Sequence, residues 1–267
     1  MMHISEIKKD AKIKLTGNYI RCASSSLLYF IMISLITFFQ EKVSFSIKNS
    51  VLLAIIEAIF LILSWILNYG IISNILDLVN IKTNSITDFI NSTLKFGGKY
   101  IKIGLRILLK ILLPLILFLF SVFYWIGTAI ANVNQINFLC FNKDLLPLAA
   151  LIWIISGILL LYYILKYVLV AYIYHENLEM PDKDIVNKSN ELMQGNKLKY
   201  VLLLLSFLHW FLFGAIALLL LNIFIEAKYL TPFMVLFYSI IRPYIVTSKS
   251  EFYTELSDIK EEKINKN

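Results

Sequence analysis

Long apolar runs separated by short charged segments dominate the pattern along the chain. Each run is about as long as the roughly 20 apolar residues that an α-helix needs to cross a bilayer. The pattern therefore predicts an all-α membrane protein with six transmembrane helices. The six runs lie at roughly 22–39, 51–76, 103–130, 148–174, 200–225 and 230–248.

A short amphipathic segment precedes the first, third and fifth runs. Each segment ends at a glycine, namely Gly17, Gly98 or Gly195, and a cation follows four positions later. Glycine is favoured at helix C-termini because it tolerates positive φ. The recurrence predicts three helix-hairpin repeats, each opened by a cytoplasmic amphipathic helix and a glycine turn. The predicted repeats cover roughly 5–79, 87–174 and 182–250.

Two alternatives stay open for these segments. Any in-plane helix that enters a membrane can end in a glycine followed by a cation whose aliphatic stem reaches along the apolar surface, so the three matches need not be true repeats. The segment before Gly195 either lies on the inner membrane surface or packs under the helix bundle. We treat 1–256 as one membrane domain and 257–267 as a charged cytoplasmic tail.

Composition supports a membrane location. Apolar residues make up 59% of the chain and charged residues 16%, whereas soluble domains have roughly 45–50% and about 25%. The net charge of +7 does not indicate nucleic-acid binding, because the cations lie between apolar runs and not on one face of a soluble fold. The two cysteines lack a CxxC pattern, so we predict neither a metal nor another cofactor.

The cations also predict the orientation. Four alternate segments, beginning with the N-terminal one, hold 21 of the 25 Lys and Arg residues. Cytoplasmic loops of membrane proteins carry an excess of Lys and Arg. Both termini are therefore predicted to be cytoplasmic.

Three ionisable residues fall near the bilayer middle in the predicted spans. Glu57, His209 and Arg242 lie in the second, fifth and sixth runs, at depths that overlap if each run crosses a hydrocarbon core of about 30 Å. Charges inside a membrane are costly and are candidates for function. The three form either a substrate-binding or proton-coupling cluster, or a structural ion pair with a hydrogen-bonded histidine.

A second candidate site is a basic helix face. Five cations follow one another at spacings of four, three, four and four residues, which places them on one side of a helix. Anionic headgroups of the inner leaflet would compensate their mutual repulsion. The alternative is general anchoring of the helix at the membrane surface. The five residues are Lys95, Lys99, Lys102, Arg106 and Lys110.

The sequence resembles a bacterial membrane-protein family, domain of unknown function 975. The resemblance is carried by ISEIKKDAKIKLTGNYIRCASSSLLYFIMISLI near the start, by NKSNELMQGNKLKYVLLLLSFLHWFLFGAIAL, and by IRPYIVTSKSEFYTEL near the end. It implies a multi-pass protein of the bacterial cytoplasmic membrane and no defined activity.

No motif of a known catalytic class is present: the sequence has no P-loop, HExxH, dinucleotide fingerprint or GxSxG. We therefore expect a non-enzymatic protein that interacts with lipid, or an accessory or scaffold subunit with an unidentified membrane-protein partner. The alternative is a small transporter that uses the Glu57, His209 and Arg242 cluster.

Overall fold

Helices make up the described part of the protein, and no strand occurs there. The computed structural model describes residues 3–47, 49–80, 86–133, 145–224 and 230–265. The helices are α1 (Ile4–Leu15), α2 (Tyr19–Ser46), α3 (Ser50–Val79), α4 (Ile86–Val133), α5 (Leu146–Tyr167), α6 (Val170–Glu176), α7 (Asp182–Leu192), α8 (Lys197–Leu205), α9 (Leu208–Phe224) and α10 (Thr231–Asn265).

Five segments of the described chain are long and apolar enough to cross a membrane. The predicted sixth span, 230–248, forms the first half of α10 but is not among them, because Arg242, two prolines and several hydroxyl-bearing residues lower its hydropathy. The structure thus supports five of the six predicted spans by length and composition. The five segments are Tyr19–Ser46, Ser50–Val79, Phe89–Thr128, Leu146–Glu176 and Lys197–Ile223.

The long helices pack side by side. α2, α3 and α10 contact one another, α4 contacts α3, α5 contacts α4, and α9 contacts α10. The bundle therefore has α2, α3 and α10 at its centre, with α4 and α5 extending from α3 and with α9 adjoining α10. Most apolar side chains in the spanning segments face outward, as expected for helices that have lipid as their solvent.

The buried residues collect at one end of the helix bundle. We call this group of buried residues the basal core. It combines α1, the end of α3, the start of α4, the α5–α6 junction, α7, α8 and the second half of α10. Burying these large side chains supplies most of the apolar stabilisation within the chain itself. Its most deeply buried members include Ile7, Ile75, Phe89, Tyr174, Ile185, Tyr200 and Phe252.

The amphipathic helices α1 and α7 are part of this core. Ile7 and Ala11 of α1, and Ile185 and Val186 of α7, have no exposed surface. α1 packs on α10, and α7 packs against α4, α5 and α6. The prediction of membrane-surface helices is therefore wrong for α1, whose apolar face meets protein and not lipid. For α7, packing under the bundle is the correct alternative.

Two of the three predicted glycine turns are confirmed. Gly17 follows α1 with a φ of +87°, and Gly195 follows α7 with a φ of +74°. Other residues adopt such positive φ values only at a steric cost. These two glycines therefore allow the chain to reverse from a core helix into the apolar helix that follows.

The predicted turn at Gly98 is wrong, because Gly98 lies inside α4, which runs unbroken for 48 residues. At 1.5 Å per residue this helix is about 72 Å long, more than twice the thickness of a hydrocarbon core. The adjacent Gly97 has a packing role: a Cβ at position 97 would lie 2.8 Å from Cγ2 of Ile66. Glycine is needed at 97 for close packing of α3 on α4.

The C-terminal segment also differs from a simple tail. α10 continues as a helix to Asn265, through most of the segment predicted as a charged tail from 257. Phe252, Tyr253 and Leu256 are buried in the basal core. Lys199 of α8 donates to both carboxylate oxygens of Glu255, at 2.8 and 2.9 Å. The end of α10 is thus an integral wall of the core.

Candidate functional site

The predicted intramembrane cluster is not assembled. Glu57 accepts a hydrogen bond from Nε2 of Gln40 and another of 2.7 Å from Oγ of Ser44. Arg242 instead donates from a terminal guanidinium nitrogen to Oδ1 of Asn68, at 2.6 Å. Both residues belong to polar networks, but to different ones.

The reason is a difference in position along α3. Asn68 lies eleven residues beyond Glu57, which corresponds to about 16 Å along a helix axis. Arg242 therefore lies near the basal core, while Glu57 lies near the opposite end of α3. His209 is exposed and stacks beside Trp210 with ring centroids 5.3 Å apart, so it joins neither network.

Arg242 faces a cavity at the border of the basal core, which we call the basal cavity. The cavity has two adjoining lobes with volumes of about 430 and 290 Å³, which share Asn68, Ile72, Tyr172 and Lys249 in their walls. Arg242 lines the smaller lobe. Its guanidinium carbon lies 4.2 Å from the ring centroid of Tyr29, so an aromatic face covers one side of the cation.

Lys249 contributes a second positive charge to the cavity. It lies seven residues, or two helical turns, after Arg242 and lines both lobes. Among the described residues it has no ion-pair or hydrogen-bond partner, and its nearest aromatic contact is the ring of Tyr200, at 5.9 Å. Burial lowers the pKa of Lys249 to about 8, and the charge of Arg242 adds to this effect.

Further polar atoms near these cations lack partners within the described chain. Nε of Arg242 and the hydroxyl of Tyr200 are both buried without a hydrogen bond. Tyr200 lines the larger lobe. Buried polar groups in proteins are almost always satisfied, and an unpaired buried cation is especially costly. A bound anion would satisfy Arg242, Lys249 and Tyr200 together.

The rest of the larger lobe is mainly apolar, although Tyr100, Tyr163 and Tyr167 also line it. Isoleucines of α4 and Ile164 of α5 line it together with Trp65. Trp65 reaches this position because Gly104 has no side chain: a Cβ there would lie 1.9 Å from the indole ring. A cavity with cations at one end and a hydrocarbon wall suits an amphiphile with an anionic headgroup. The isoleucines of α4 are Ile103, Ile107 and Ile111.

The predicted basic face of α4 is divided by the fold. Lys99 donates to the carbonyl oxygen of Leu178 and lies 5.4 Å from the ring centroid of Tyr174, so it ties α4 to the core. Lys95, Lys102, Arg106 and Lys110 are exposed. Lys99 is therefore engaged inside the protein, while lipid binding by this face stays a prediction.

Three cations from other helices join the far end of this face. Lys110 lies close enough to three cations to be repelled electrostatically: Arg106 of α4 itself, Lys166 of α5 and Lys183 of α7. Lys197 of α8 lies 3.6 Å from the ring centroid of Tyr162 on α5. We call these five residues, from four helices, the cationic rim: Arg106, Lys110, Lys166, Lys183 and Lys197.

A serine, a histidine and an aspartate also meet in the basal core. Oγ of Ser73 lies 3.0 Å from Nδ1 of His175, and Nε2 of His175 lies 3.6 Å from Oδ1 of Asp77. In a catalytic triad the serine must reach a substrate carbonyl. Ser73 is only 4% exposed, so this network joins α3 to α6 and does not form an accessible nucleophile.

The sequence interpretation identified Arg242 but missed Lys249, Asn68, Tyr172 and Tyr200. Lys249 was counted only as a cation after the last span. Its spacing of seven from Arg242 places both on one face of a helix, and this was the available signal. The pairing with Asn68 and Tyr200 had no signal in the sequence, because it depends on how α3 and α8 approach α10.

Comparison with known proteins identifies the family. The chain matches no curated protein and no solved structure. A family model described as Protein of unknown function (DUF975) matches residues 1–260, in agreement with the resemblance seen in the sequence. The chain therefore belongs to the domain of unknown function 975 family.

Proposed function

We propose that this protein crosses a bacterial cytoplasmic membrane six times, with both termini in the cytoplasm. The sixth span is the first half of α10, which packs along α2 and α9. Most of the described cations lie on the helix segments that build the basal core, and the positive-inside rule assigns such an end to the cytoplasm. The six spans then form three hairpins, of which the first and third begin with α1 and α7.

We propose further that the protein binds an anionic membrane lipid without converting it. The carrying observation is that Arg242 and Lys249 face a cavity whose other walls are mainly apolar. In the proposed orientation this cavity lies at the level of the inner leaflet. The phosphate of a lipid would meet the two cations, while an acyl chain would follow the isoleucines of α4.

The apolar wall favours a lipid over a hydrophilic solute. A site for a small polar solute is expected to surround it with polar groups, whereas the basal cavity offers polar groups at one end. The transporter alternative depended on Glu57, His209 and Arg242 acting together, and their observed contacts give that cluster no support. Lipid binding is compatible with the predicted accessory role beside another membrane protein.

Native mass spectrometry of the full chain in a gentle detergent tests this function. We expect the wild-type protein to bind phosphatidylglycerol at least about tenfold more tightly than phosphatidylcholine. The double variant Arg242→Gln and Lys249→Met is expected to lose this preference. The control, Lys9→Gln and Arg21→Gln, removes two exposed charges that lie outside the cavity and outside the predicted lipid face, and is expected to keep it.

A single variant separates binding from folding. Within the described residues Lys249 has no ion-pair or hydrogen-bond partner to lose, so Lys249→Met removes an unpaired, half-buried charge and is expected to raise the melting temperature. The same variant is expected to weaken phosphatidylglycerol binding. Equal binding of both lipids by the wild type, or unchanged affinity in Lys249→Met, would refute the proposed site.

A further inference from the structure

The cationic rim is held by aromatic rings that also form the wall of the basal cavity. Nζ of Lys110 lies 5.5 Å from the ring centroid of Tyr167, and Nζ of Lys166 lies 5.5 Å from that of Tyr163. Both tyrosines line the larger lobe. The outer surface of the rim and the inner surface of the cavity are therefore separated by single side chains.

Within the part of the chain that the structure describes, no carboxylate neutralises the rim charges. In the described ranges none of the five rim residues forms an ion pair with a carboxylate. Arg106, Lys110 and Lys183 are exposed, and Lys166 and Lys197 are half-buried. Like charges at this spacing repel unless an anion lies among them. The arrangement thus forms a positively charged recess open to the surroundings.

The cavity wall beside the rim is apolar and partly open. Ile107 and Ile111 of α4 face Ile164 of α5 across the larger lobe, and Ile164 is 55% exposed. An acyl chain can pass between two apolar helix faces without losing hydrocarbon contact, while its headgroup stays beside the cations. α4 and α5 are in contact, and the exposed side of Ile164 marks a suitable entrance through which a lipid would pass between them from the side.

We propose that the cationic rim is a second anion-binding site, where an anionic phosphodiester headgroup binds before its lipid enters the basal cavity between α4 and α5. The inference rests on the proposed lipid binding in the cavity. The rim then governs how fast the lipid enters, and Arg242 and Lys249 govern how tightly it is held. Charged surfaces of this kind mainly raise association rates.

Trp65 in the cavity wall reports lipid entry directly. A variant with Trp125, Trp153 and Trp210 changed to phenylalanine keeps Trp65 as its single tryptophan. Stopped-flow mixing of this protein in detergent with doxyl-labelled phosphatidylglycerol gives the rate and the extent of fluorescence quenching. Adding Lys110→Gln and Lys166→Gln is expected to lower the rate about fivefold to tenfold and to leave the final quenching unchanged.

Control variants test whether the change in rate is specific to the rim. Lys9→Gln with Arg21→Gln removes the same charge from exposed positions outside the rim and the predicted lipid face and is expected to change the rate less than twofold, on the order of general screening effects. Lys249→Met is expected to reduce the final quenching. If labelled lipid enters the Lys110 and Lys166 variant as fast as it enters this control, the rim has no role in lipid entry.

Two further outcomes separate the possible failures. If labelled phosphatidylcholine quenches Trp65 as well as phosphatidylglycerol does, the proposed function itself is wrong. If the wild type is selective but soluble glycerol phosphate slows entry as strongly as unlabelled phosphatidylglycerol, the rim binds free phosphate esters and the lipid route is wrong. Selective quenching that glycerol phosphate does not slow supports the inference.

Discussion

Phe252 and Phe120 show two opposite environments within one chain. Phe252 in the basal core has 0% of its surface exposed, whereas Phe120 in the apolar part of α4 is 61% exposed. Phe252 contacts the ring of Tyr200, with centroids 5.4 Å apart, while lipid is the expected neighbour of Phe120. The basal core is thus stabilised by contacts within the protein, and the apolar helices depend mainly on their solvent.

The largest expected effect tests this difference directly. Phe252→Ala would leave a cavity in the basal core and is expected to lower the free energy of unfolding by about 3–5 kcal/mol. Phe120→Ala, with the same change of side chain, is expected to cost less than about 0.5 kcal/mol. Thermal unfolding in one detergent measures both. Similar losses in the two variants would contradict the separation into a packed and a lipid-exposed half.

Two ion pairs formed by α10 differ in exposure and mark the edge of the basal core. The side chains of Lys199 and Glu255 are 17% and 6% exposed, whereas those of Lys260 and Glu191 are 41% and 54% exposed. Lys199→Met leaves a buried carboxylate without this partner and is expected to cost about 3 kcal/mol. Lys260→Met is expected to cost less than about 1 kcal/mol. The same melting experiment compares them, and equal costs would mean that α10 is not packed tightly at Glu255.

The cavity between the two regions predicts a pH effect on binding. Burial lowers the pKa of Lys249 to about 8, so the side chain is charged below that pH and neutral above it. Affinity for phosphatidylglycerol is therefore expected to fall about tenfold between about pH 7 and pH 9. Lys249→Arg keeps its charge throughout this range and is expected to remove the effect. A wild-type affinity that does not change with pH would contradict the role of Lys249.

The smallest expected effect concerns how helices leave the basal core. Gly17→Ala places a side chain at a φ of +87° and is expected to cost about 1 kcal/mol. Gly98 is inside α4, and a Cβ there would meet nothing within 4 Å, so Gly98→Ala is expected to stabilise the protein by about 0.5–1 kcal/mol. A lower melting temperature for Gly17→Ala and a higher one for Gly98→Ala would support one unbroken α4. A lower melting temperature in both variants would favour a turn at both glycines.

Length and hydropathy were sufficient to predict the apolar helices, because each apolar run must form its own backbone hydrogen bonds in lipid. They were not sufficient for α1: the spacing of Ile7, Ala11 and Leu15 reveals an apolar face but does not reveal whether lipid or protein covers it. The prediction at Gly98 failed for a similar reason, because a single sequence does not distinguish a glycine that ends a helix from one beside a packing contact.

The candidate site was predictable only where one helix determined it. Arg242 was identified because a cation interrupts an apolar run, and Lys249 could have been found from the same helical face. Glu57 was paired with Arg242 by depth alone, but Asn68, the observed partner of Arg242, lies eleven residues or about 16 Å further along α3. Contacts such as Arg242 with Asn68 depend on tertiary packing, which a single sequence does not contain.

The contact between α1 and α10 has a consequence for biosynthesis. α1 is made well before α8 and α10, the helices that cover it. Until those helices are made, the membrane surface is the nearest place where an amphipathic helix can shelter Ile7, Ala11 and Leu15. α1 must therefore exchange lipid for protein once α10 has been made, so insertion of the spans precedes completion of the core.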